Sequence, residues 1–458
     1  MSRGTTNLGK DPVGNLLFKL ALPAIIAQLV NVLYNIVDRI FIGRIPNGDL
    51  AMAGVGVAFP IIMIISAVSA LVGMGGAPLA AIKMGEEDNE GAERIISNSF
   101  TMLIVLGVLL TIGFLIFKEP ILWTFGASEA TIGFSNDYLT LYLIGTVFVQ
   151  IALGMNPFIN TQGFAKTGMV TVMIGAVINI ILDPIFIFGL DMGVKGAALA
   201  TILAQIISAI WVLVFLFGKK SIIKIRKKYL VPNIKIIGSI IALGISPFIM
   251  QATESLVLIT LNNKLFMYGR DLAVGAMTIM SSVMQIVILP LMGLSQGAQP
   301  IISYNYGSKN SKRVKKTFKL LLISCLAYTG VMWALLMLFP QVFVNIFNNK
   351  PELVEITSWS IRIYFAGIFM FGAQIACQQT FLALGQAKIS LMLALLRKII
   401  LLIPFIFILP TFFNNKLMGV LMAEPFADVI AALITIISFI IFYKKTFNTK
   451  NLEKLIGN

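Results

Sequence analysis

Long runs of apolar residues constrain this chain more than any other feature. A helix needs about 20 mostly apolar residues to cross the hydrocarbon core of a bilayer. The sequence of 458 residues contains twelve such runs, centred near positions 30, 65, 105, 145, 178, 205, 250, 287, 325, 368, 400 and 430. Charged residues make up 12% of the chain, about half the share in a soluble domain. We therefore predict an all-α membrane protein with twelve transmembrane helices.

The positive charges are distributed unevenly among the loops. Of the 35 Lys and Arg residues, 24 lie in the termini and loops that follow an even number of spans (the even loops), and 8 lie in the odd loops. Because Lys and Arg are enriched in cytoplasmic loops, both termini are predicted to be cytoplasmic. This topology accounts for the net charge of +15. We therefore expect membrane lipids as partners, and no nucleic acid.

The sequence offers few groups for catalysis or metal binding. It has no His, and its two cysteines lie in apolar runs without metal-ligand spacing. The segment GTTNLGKD fits a phosphate-binding loop, but Asp11 stands where Ser or Thr would bind magnesium and no strand precedes it. We therefore expect neither an enzyme, nor a cofactor, nor an ATP-driven pump. Any active transport must use an ion gradient.

The two halves of the sequence repeat one another. The segment Asp49–Ala51 recurs as Asp271–Ala273, and Gly85 recurs as Gly307, both at an offset of 222 residues. Six spans per half give both halves the same orientation, so we predict two pseudo-symmetric six-helix lobes around a central cleft, which suits alternating access. The predicted domains are a first lobe (1–217), a cytoplasmic linker (218–234), a second lobe (235–443) and a cytoplasmic tail (444–458).

Two acids interrupt the apolar spans of the first half. Asp38 lies in LYNIVDRIFIG with Asn35 three residues earlier, and Asp183 lies in NIILDPIFIFG with Asn179 four residues earlier. An ionisable residue at the bilayer centre costs roughly 2.5–3.5 kcal/mol, so both acids are candidates for function. Simpler interpretations stay open: Asp38 lies near the membrane interface, and an Asp-Pro pair can merely end a helix.

The second half lacks matching acids, because the aligned positions hold Asn262 and Ile403. Its own charged residues within spans are Glu254, Arg397, Lys398, Glu424 and Asp428. The basic pair could neutralise the acids, so a structural ion-pair network and a role in transport both stay open. Gln285 is one of several neutral polar residues in spans 8 and 10.

Four segments together resemble one known family. LYNIVDRIFIG, NIILDPIFIFG, GVKGAALAT and LSQGAQPIISYNYG, at these positions in a chain of six plus six spans, are similar to the multidrug and toxic compound extrusion (MATE) family, in its DinF-like branch close to MepA-type bacterial exporters. The resemblance implies the MATE/MOP-flippase fold, a bacterial inner membrane, and antiport of cationic or amphipathic drugs against H⁺ or Na⁺. We expect a monomer.

The resemblance also implies the residues that couple transport to the ion. The family's cation site in the first lobe maps onto Asp38, Asn156, Asn179, Asp183 and Thr201. Asn35, Glu254 and Gln285 are additional candidates, and Glu254 alone matches a position of the NorM branch. We expect no metal beyond Na⁺ at this site. The alternative function is a flippase of a lipid-linked precursor with the same fold, for which we would expect a basic cluster that binds pyrophosphate.

Overall fold

The computed structural model describes residues 7–348 and 350–447, and the regular structure of these ranges is helical. The α-helices are α1 (Val13–Ile42), α2 (Gly48–Gly85), α3 (Asn89–Thr124), α4 (Ile132–Ile144), α5 (Thr146–Thr161), α6 (Ala165–Pro184), α7 (Gly193–Phe217), α8 (Ile234–Gly307), α9 (Ser311–Leu338), α10 (Pro340–Asn345), α11 (Pro351–Tyr364), α12 (Ile368–Ala383), α13 (Ala387–Leu395), α14 (Ile403–Phe412), α15 (Lys416–Leu421) and α16 (Ala423–Phe447).

These helices form the twelve predicted spans. At a rise of about 1.5 Å per residue, the 74 residues of α8 exceed the bilayer core of about 30 Å several times over. The backbone of Arg270 is non-helical (φ 52°, ψ −155°) and divides α8 into spans 7 and 8. Spans 4 and 10 are bent pairs, α4 with α5 at 61° and α11 with α12 at 49°. The prediction of a twelve-helix membrane protein is confirmed.

Two spans contain a π-helical turn, at Ile185–Gly189 and Leu396–Leu402. The first follows Pro184, which has no backbone N–H and cannot continue the regular ladder. Leu190 closes this turn by donating its N–H to the Ile185 carbonyl at 2.9 Å. Single π turns occur frequently at functional sites, and each of these two adjoins or contains buried charged residues.

The two halves meet in a contact that reflects their internal symmetry. A Cβ atom on Gly85 of α2 would lie 2.0 Å from the Tyr304 carbonyl oxygen on α8, and one on Gly307 would lie 2.0 Å from the Ile82 carbonyl oxygen. Tyr304 follows Ile82 by 222 residues, as Gly307 follows Gly85. Each half therefore presents the same glycine to the same backbone position of the other half, and glycine permits this close helix packing.

The close approaches between the halves lie on the side of the even loops. Gly244 of α8 packs against the backbone of Leu71, and Gly293 packs against Ile25. Glycines at the opposite ends of these helices contact their own half instead: Gly54 lies against Phe134. The halves are thus joined at the even-loop side.

The segment between α7 and α8 packs on the first half of the chain. The buried Gln162 side-chain oxygen accepts hydrogen bonds from the backbone N–H groups of Ile222 (2.6 Å) and Ile223 (3.1 Å). The guanidinium of Arg226 pairs with Glu93 at 2.9 Å. This segment is therefore held at defined points on α3 and directly after α5, although the lobe and linker boundaries given above stay predictions.

Candidate functional site

Two carboxyl groups meet inside the first half of the molecule. Asp38 of α1 is 9% exposed and Asp183 of α6 is fully buried. Their side chains lie close enough to interact electrostatically. The structure thus brings together two acids that are 145 residues apart in the sequence, which favours a shared site over two separate helix-end features.

Neighbouring polar side chains hold one of these acids in place. The Asn179 amide lies one turn before Asp183 on α6 and donates to its Oδ1 at 3.1 Å. The same amide nitrogen lies 3.3 Å from the Thr201 hydroxyl of α7. Tyr138, on α4, lies beside Thr201. Four helices therefore contribute to one buried cluster.

Three oxygen atoms of this cluster are buried without a hydrogen-bond partner in the described part of the chain: Asp38 Oδ1, Asp183 Oδ2 and Asn179 Oδ1. A buried charge is unfavourable by several kcal/mol unless it is paired. Hard cations such as Na⁺ prefer carboxylate and amide oxygens, and a proton would satisfy a carboxylate directly. The free oxygens therefore suit a small monovalent cation.

The electrostatics of the pair also favour a bound cation. Two carboxylates in one buried site repel each other, and at an effective dielectric constant of 20 this repulsion amounts to about 4 kcal/mol for a separation of about 4 Å. The polar neighbours described above are the Asn179 amide, which donates to Asp183, and the hydroxyl groups of Thr201 and Tyr138, and all three groups are neutral. Arg39 is next to Asp38 in the chain, but its guanidinium lies 5.4 Å from the ring centre of Phe59. Within the described residues it forms no hydrogen bond with Asp38.

Two of the candidates lie apart from the cluster. Asn156 of α5 donates to the Gly168 carbonyl at 3.2 Å, eleven residues before Asn179 on α6, or about 16 Å of helix. Asn35 is exposed and donates to the Asn31 carbonyl at 2.6 Å. A three-residue step rotates a helix by about 300°, which leaves Asn35 in contact with solvent or lipid while Asp38 is buried. Asn35 therefore lies outside the buried cluster.

The tyrosines of the site were not among the candidates. Tyr138 and Tyr142 are buried on α4 with ring centres 6.2 Å apart, and Tyr34 lies one turn before Asp38 on α1. The signal that indicates them is spacing: each pair is separated by four residues, which places both members on one helix face. Tyr34 and Tyr138 lie close enough to Asp38 to interact with it electrostatically, so their phenol groups are neutral polar neighbours of this acid.

The second half contains a buried ion-pair network, as the sequence suggested. Arg397, in the π turn of span 11, donates to Asp428 at 2.7 Å and to Glu424 at 2.9 Å. Its neighbour Lys398 forms an ion pair with Glu254, whose side chain is 53% exposed. Here the acids are neutralised by the protein's own cations, whereas the acids of the first half have none hydrogen-bonded to them in the described ranges.

Gln285, the remaining additional candidate, lies exposed on α8.

Replacing Arg397 with Met should destabilise the protein strongly. It leaves Glu424 and Asp428 buried without their cation, and removing one partner of a buried ion pair costs about 3–5 kcal/mol of unfolding free energy. Thermal unfolding of the purified protein in detergent measures the effect. Arg94→Met is the control: Arg94 pairs with Glu90 at 2.7 Å, but both side chains are about half exposed, and such pairs contribute about 0–1 kcal/mol. Equal melting temperatures for the two variants would contradict a structural role for the network.

A family model called MatE matches the chain twice, over residues 23–185 and 247–408. The two matches cover the two halves in the same order, which agrees with the internal repeat.

Curated relatives and solved structures are similar over nearly the whole chain. The Multidrug export protein MepA of Staphylococcus haemolyticus (strain JCSC1435) is 27% identical over 436 residues, which is 95% of each chain. A ligand complex of the MATE multidrug transporter DinF-BH is 36% identical, with a TM-score of 0.88 over 97% of this chain and 99% of that one. A MATE crystal structure in the bent conformation, 23% identical, superposes with a TM-score of 0.91 over 99% of this chain and 100% of that one, which shows the fold alone.

Proposed function

Because the chain belongs to the MatE family, we propose that it is a secondary active multidrug exporter of a bacterial cell membrane. It exchanges cationic or amphipathic drugs for H⁺ or Na⁺ by alternating access, works as a monomer, and has both termini in the cytoplasm. The observation that carries the proposal is the buried pair of Asp38 and Asp183, whose free oxygens lack a partner within the described residues. Such a pair requires a cation, and coupled transport supplies one.

The relatives support the drug-export part of the proposal. The staphylococcal protein is named as a multidrug export protein, and the structure that is 36% identical is a multidrug transporter with a bound ligand. Both alignments extend over more than nine tenths of this chain, so they include both carboxyl-bearing helices.

In the proposed mechanism the ionised carboxyl pair favours a cationic drug in the first lobe. A proton or Na⁺ from outside then neutralises Asp38 and Asp183, which weakens the attraction for the drug. The Asn179 amide holds Asp183 in place at 3.1 Å while the charge changes. Because Asp38 lies on α1, which also packs against the second half near Gly293, a bend of α1 at Asp38 would transmit occupancy of the site to the contact between the lobes. The drug leaves, and the lobes then close on the other side.

The driving force suffices for such an exchange. One positive charge that moves inward across 100 mV releases about 2.3 kcal/mol, and one pH unit adds about 1.4 kcal/mol. One ion exchanged for a drug of charge +1 moves no net charge, so one pH unit sustains a drug gradient of roughly tenfold. A second ion adds one net inward charge and a second pH contribution, which raises the gradient to roughly several thousandfold.

Ethidium efflux under imposed ion gradients tests the proposal. Vesicles that contain the protein are loaded with ethidium, and an inward H⁺ gradient or an inward Na⁺ gradient is then applied at zero voltage. We expect one of the two gradients to drive efflux well above that of empty vesicles, and this result identifies the coupling ion. If neither gradient drives efflux of ethidium or of a second cationic dye, the antiport proposal is wrong and translocation of a lipid-linked precursor becomes the function to test.

The flippase alternative has less support from the site. A pyrophosphate-binding cleft requires several available basic side chains. The two buried basic residues of the second half, Arg397 and Lys398, are engaged by three carboxylates. The first-half cluster is acidic, which would repel an anionic substrate.

A further inference from the structure

A groove of about 590 Å³ opens between the start of α9 and the end of α16, on the even-loop side. The groove residues are Lys315, Lys316, Phe318, Lys319, Leu322, Phe439, Ile440, Tyr443 and Lys444. They lie on helices of the second half, away from the acidic cluster of Asp38 and Asp183, and the transport mechanism does not use them.

The charge of the groove has one sign. Four of its lining residues are lysines, and none of the described lining residues is acidic. Lys316, Lys319 and Lys444 have exposed side chains. Lys315 lies 5.6 Å from the ring centre of Tyr443. A concentration of positive charge of this kind attracts a phosphate group or another anion.

The rest of the groove is apolar, and its polarity changes along the helix axes. Phe318 of α9 stacks on Phe439 of α16 with ring centres 4.3 Å apart and forms the wall. Leu322 lies one turn further into α9, and Ile440, with 47% of its surface exposed, lies one turn before Lys444 on α16. Because α9 begins where α16 ends, the lysines of both helices lie at the membrane surface and the apolar residues lie deeper.

We propose that this groove binds an anionic phospholipid of the leaflet on the even-loop side. The lysines contact the headgroup phosphate, and an acyl chain lies along Leu322, Phe439 and Ile440. Basic pockets between transmembrane helices recognise lipid headgroups in this way. A free phosphate ion would use the lysines but gain nothing from the apolar wall, which favours a lipid. The proposal requires that the chain spans a membrane and is independent of the transported drug.

Native mass spectrometry of the purified full-length protein tests the lipid site. Phosphatidylglycerol or phosphatidylcholine is titrated into the protein in detergent, and the apparent Kd of the first bound lipid is measured. We expect preferential binding of phosphatidylglycerol. Each lysine near an anionic lipid surface contributes roughly a fivefold change, so the triple variant Lys316→Gln/Lys319→Gln/Lys444→Gln should weaken this binding on the order of a hundredfold.

The control removes three lysines of the even loop between α7 and α8, as Lys219→Gln/Lys220→Gln/Lys227→Gln, all exposed in the structure. It should bind phosphatidylglycerol like the wild type, and an equal loss in both triple variants would overturn the proposal in favour of general surface charge. A second variant, Ile440→Asn, tests the apolar wall and should weaken lipid binding while leaving the lysines in place. If Ile440→Asn binds normally and inorganic phosphate competes fully with phosphatidylglycerol, the groove is a phosphate site and the lipid assignment is wrong.

Discussion

Asp183→Asn should abolish ion-driven drug export while leaving the protein folded. The substitution keeps the shape of the side chain but removes the charge that a proton or Na⁺ neutralises. Asp183 is fully buried and one of its oxygens has no partner in the described chain, so its carboxylate contributes nothing to stability that an amide cannot supply. We therefore expect a melting temperature equal to or above that of the wild type.

The expected loss can be stated from the driving force. An uncoupled carrier no longer gains the roughly tenfold gradient that one coupled ion provides from one pH unit, so ethidium should equilibrate across the membrane instead of being exported against its gradient. The measurement is ethidium efflux from energised vesicles under whichever ion gradient drives the wild type. Asp38→Asn should give the same result, because the two carboxyl groups share one buried site and interact electrostatically.

Asp137→Asn is the matched control for Asp183→Asn. Asp137 lies on α4 of the same lobe, but its side chain is 47% exposed and pairs with Lys195 at 3.4 Å on the surface. It should export ethidium at the wild-type rate. If Asp183→Asn also exports at the wild-type rate, the coupling site lies elsewhere, and Glu254, half exposed in the second half, is the next residue to replace.

The sequence predicts the two acids of the site better than their surroundings. Asp38 and Asp183 stand out because a charge within an apolar span is costly, and a step of four residues places Asn179 beside Asp183. Asn156 also matches the family pattern, but its amide donates to the Gly168 carbonyl, a tertiary contact that no local signal predicts. The sequence gives no such signal for Tyr138, because a tyrosine in a transmembrane span is neutral and lacks the free-energy cost of a buried charge.

The fold shows the same division between local and long-range information. Hydropathy predicts twelve spans, since each span depends on its own residues. Hydropathy does not predict that a single non-helical residue, Arg270, separates spans 7 and 8. It also does not predict that Arg397 and Lys398, neighbours in one π turn, pair with different acids. Gln162 likewise has no sequence signal for its contacts with Ile222 and Ile223, because its role depends on where the linker packs.

A second large effect is expected at the contact between the halves. A Cβ atom on Gly244 would lie 1.8 Å from the Leu71 carbonyl oxygen, so Gly244→Val must force α2 and α8 apart on the even-loop side. Overpacking a contact costs about 1–3 kcal/mol, which shifts a two-state equilibrium by roughly 5- to 150-fold. If the lobes rock about the cleft, this energy favours the state that is open on the even-loop side, and drug export should stop without unfolding of either lobe.

A reporter cysteine distinguishes such a shift from simple misfolding. Ile25→Cys, introduced after Cys325→Ser and Cys377→Ser remove the two buried cysteines, places a thiol opposite Gly293 at the same contact. Its labelling by a maleimide from the even-loop side should accelerate at least several-fold in Gly244→Val.

Gly238→Val is the control for this experiment, because Gly238 lies on the same helix with open space within 4 Å of a Cβ atom. It adds the same side chain and the same change in helix propensity without a clash, so it should label slowly and export ethidium normally. Fast labelling together with a collapsed melting temperature in Gly244→Val would indicate unfolding and not a shift of the lobes. Wild-type labelling and export in Gly244→Val would mean that the contact between α2 and α8 does not have to close during transport, which contradicts rocking of the two lobes about this contact.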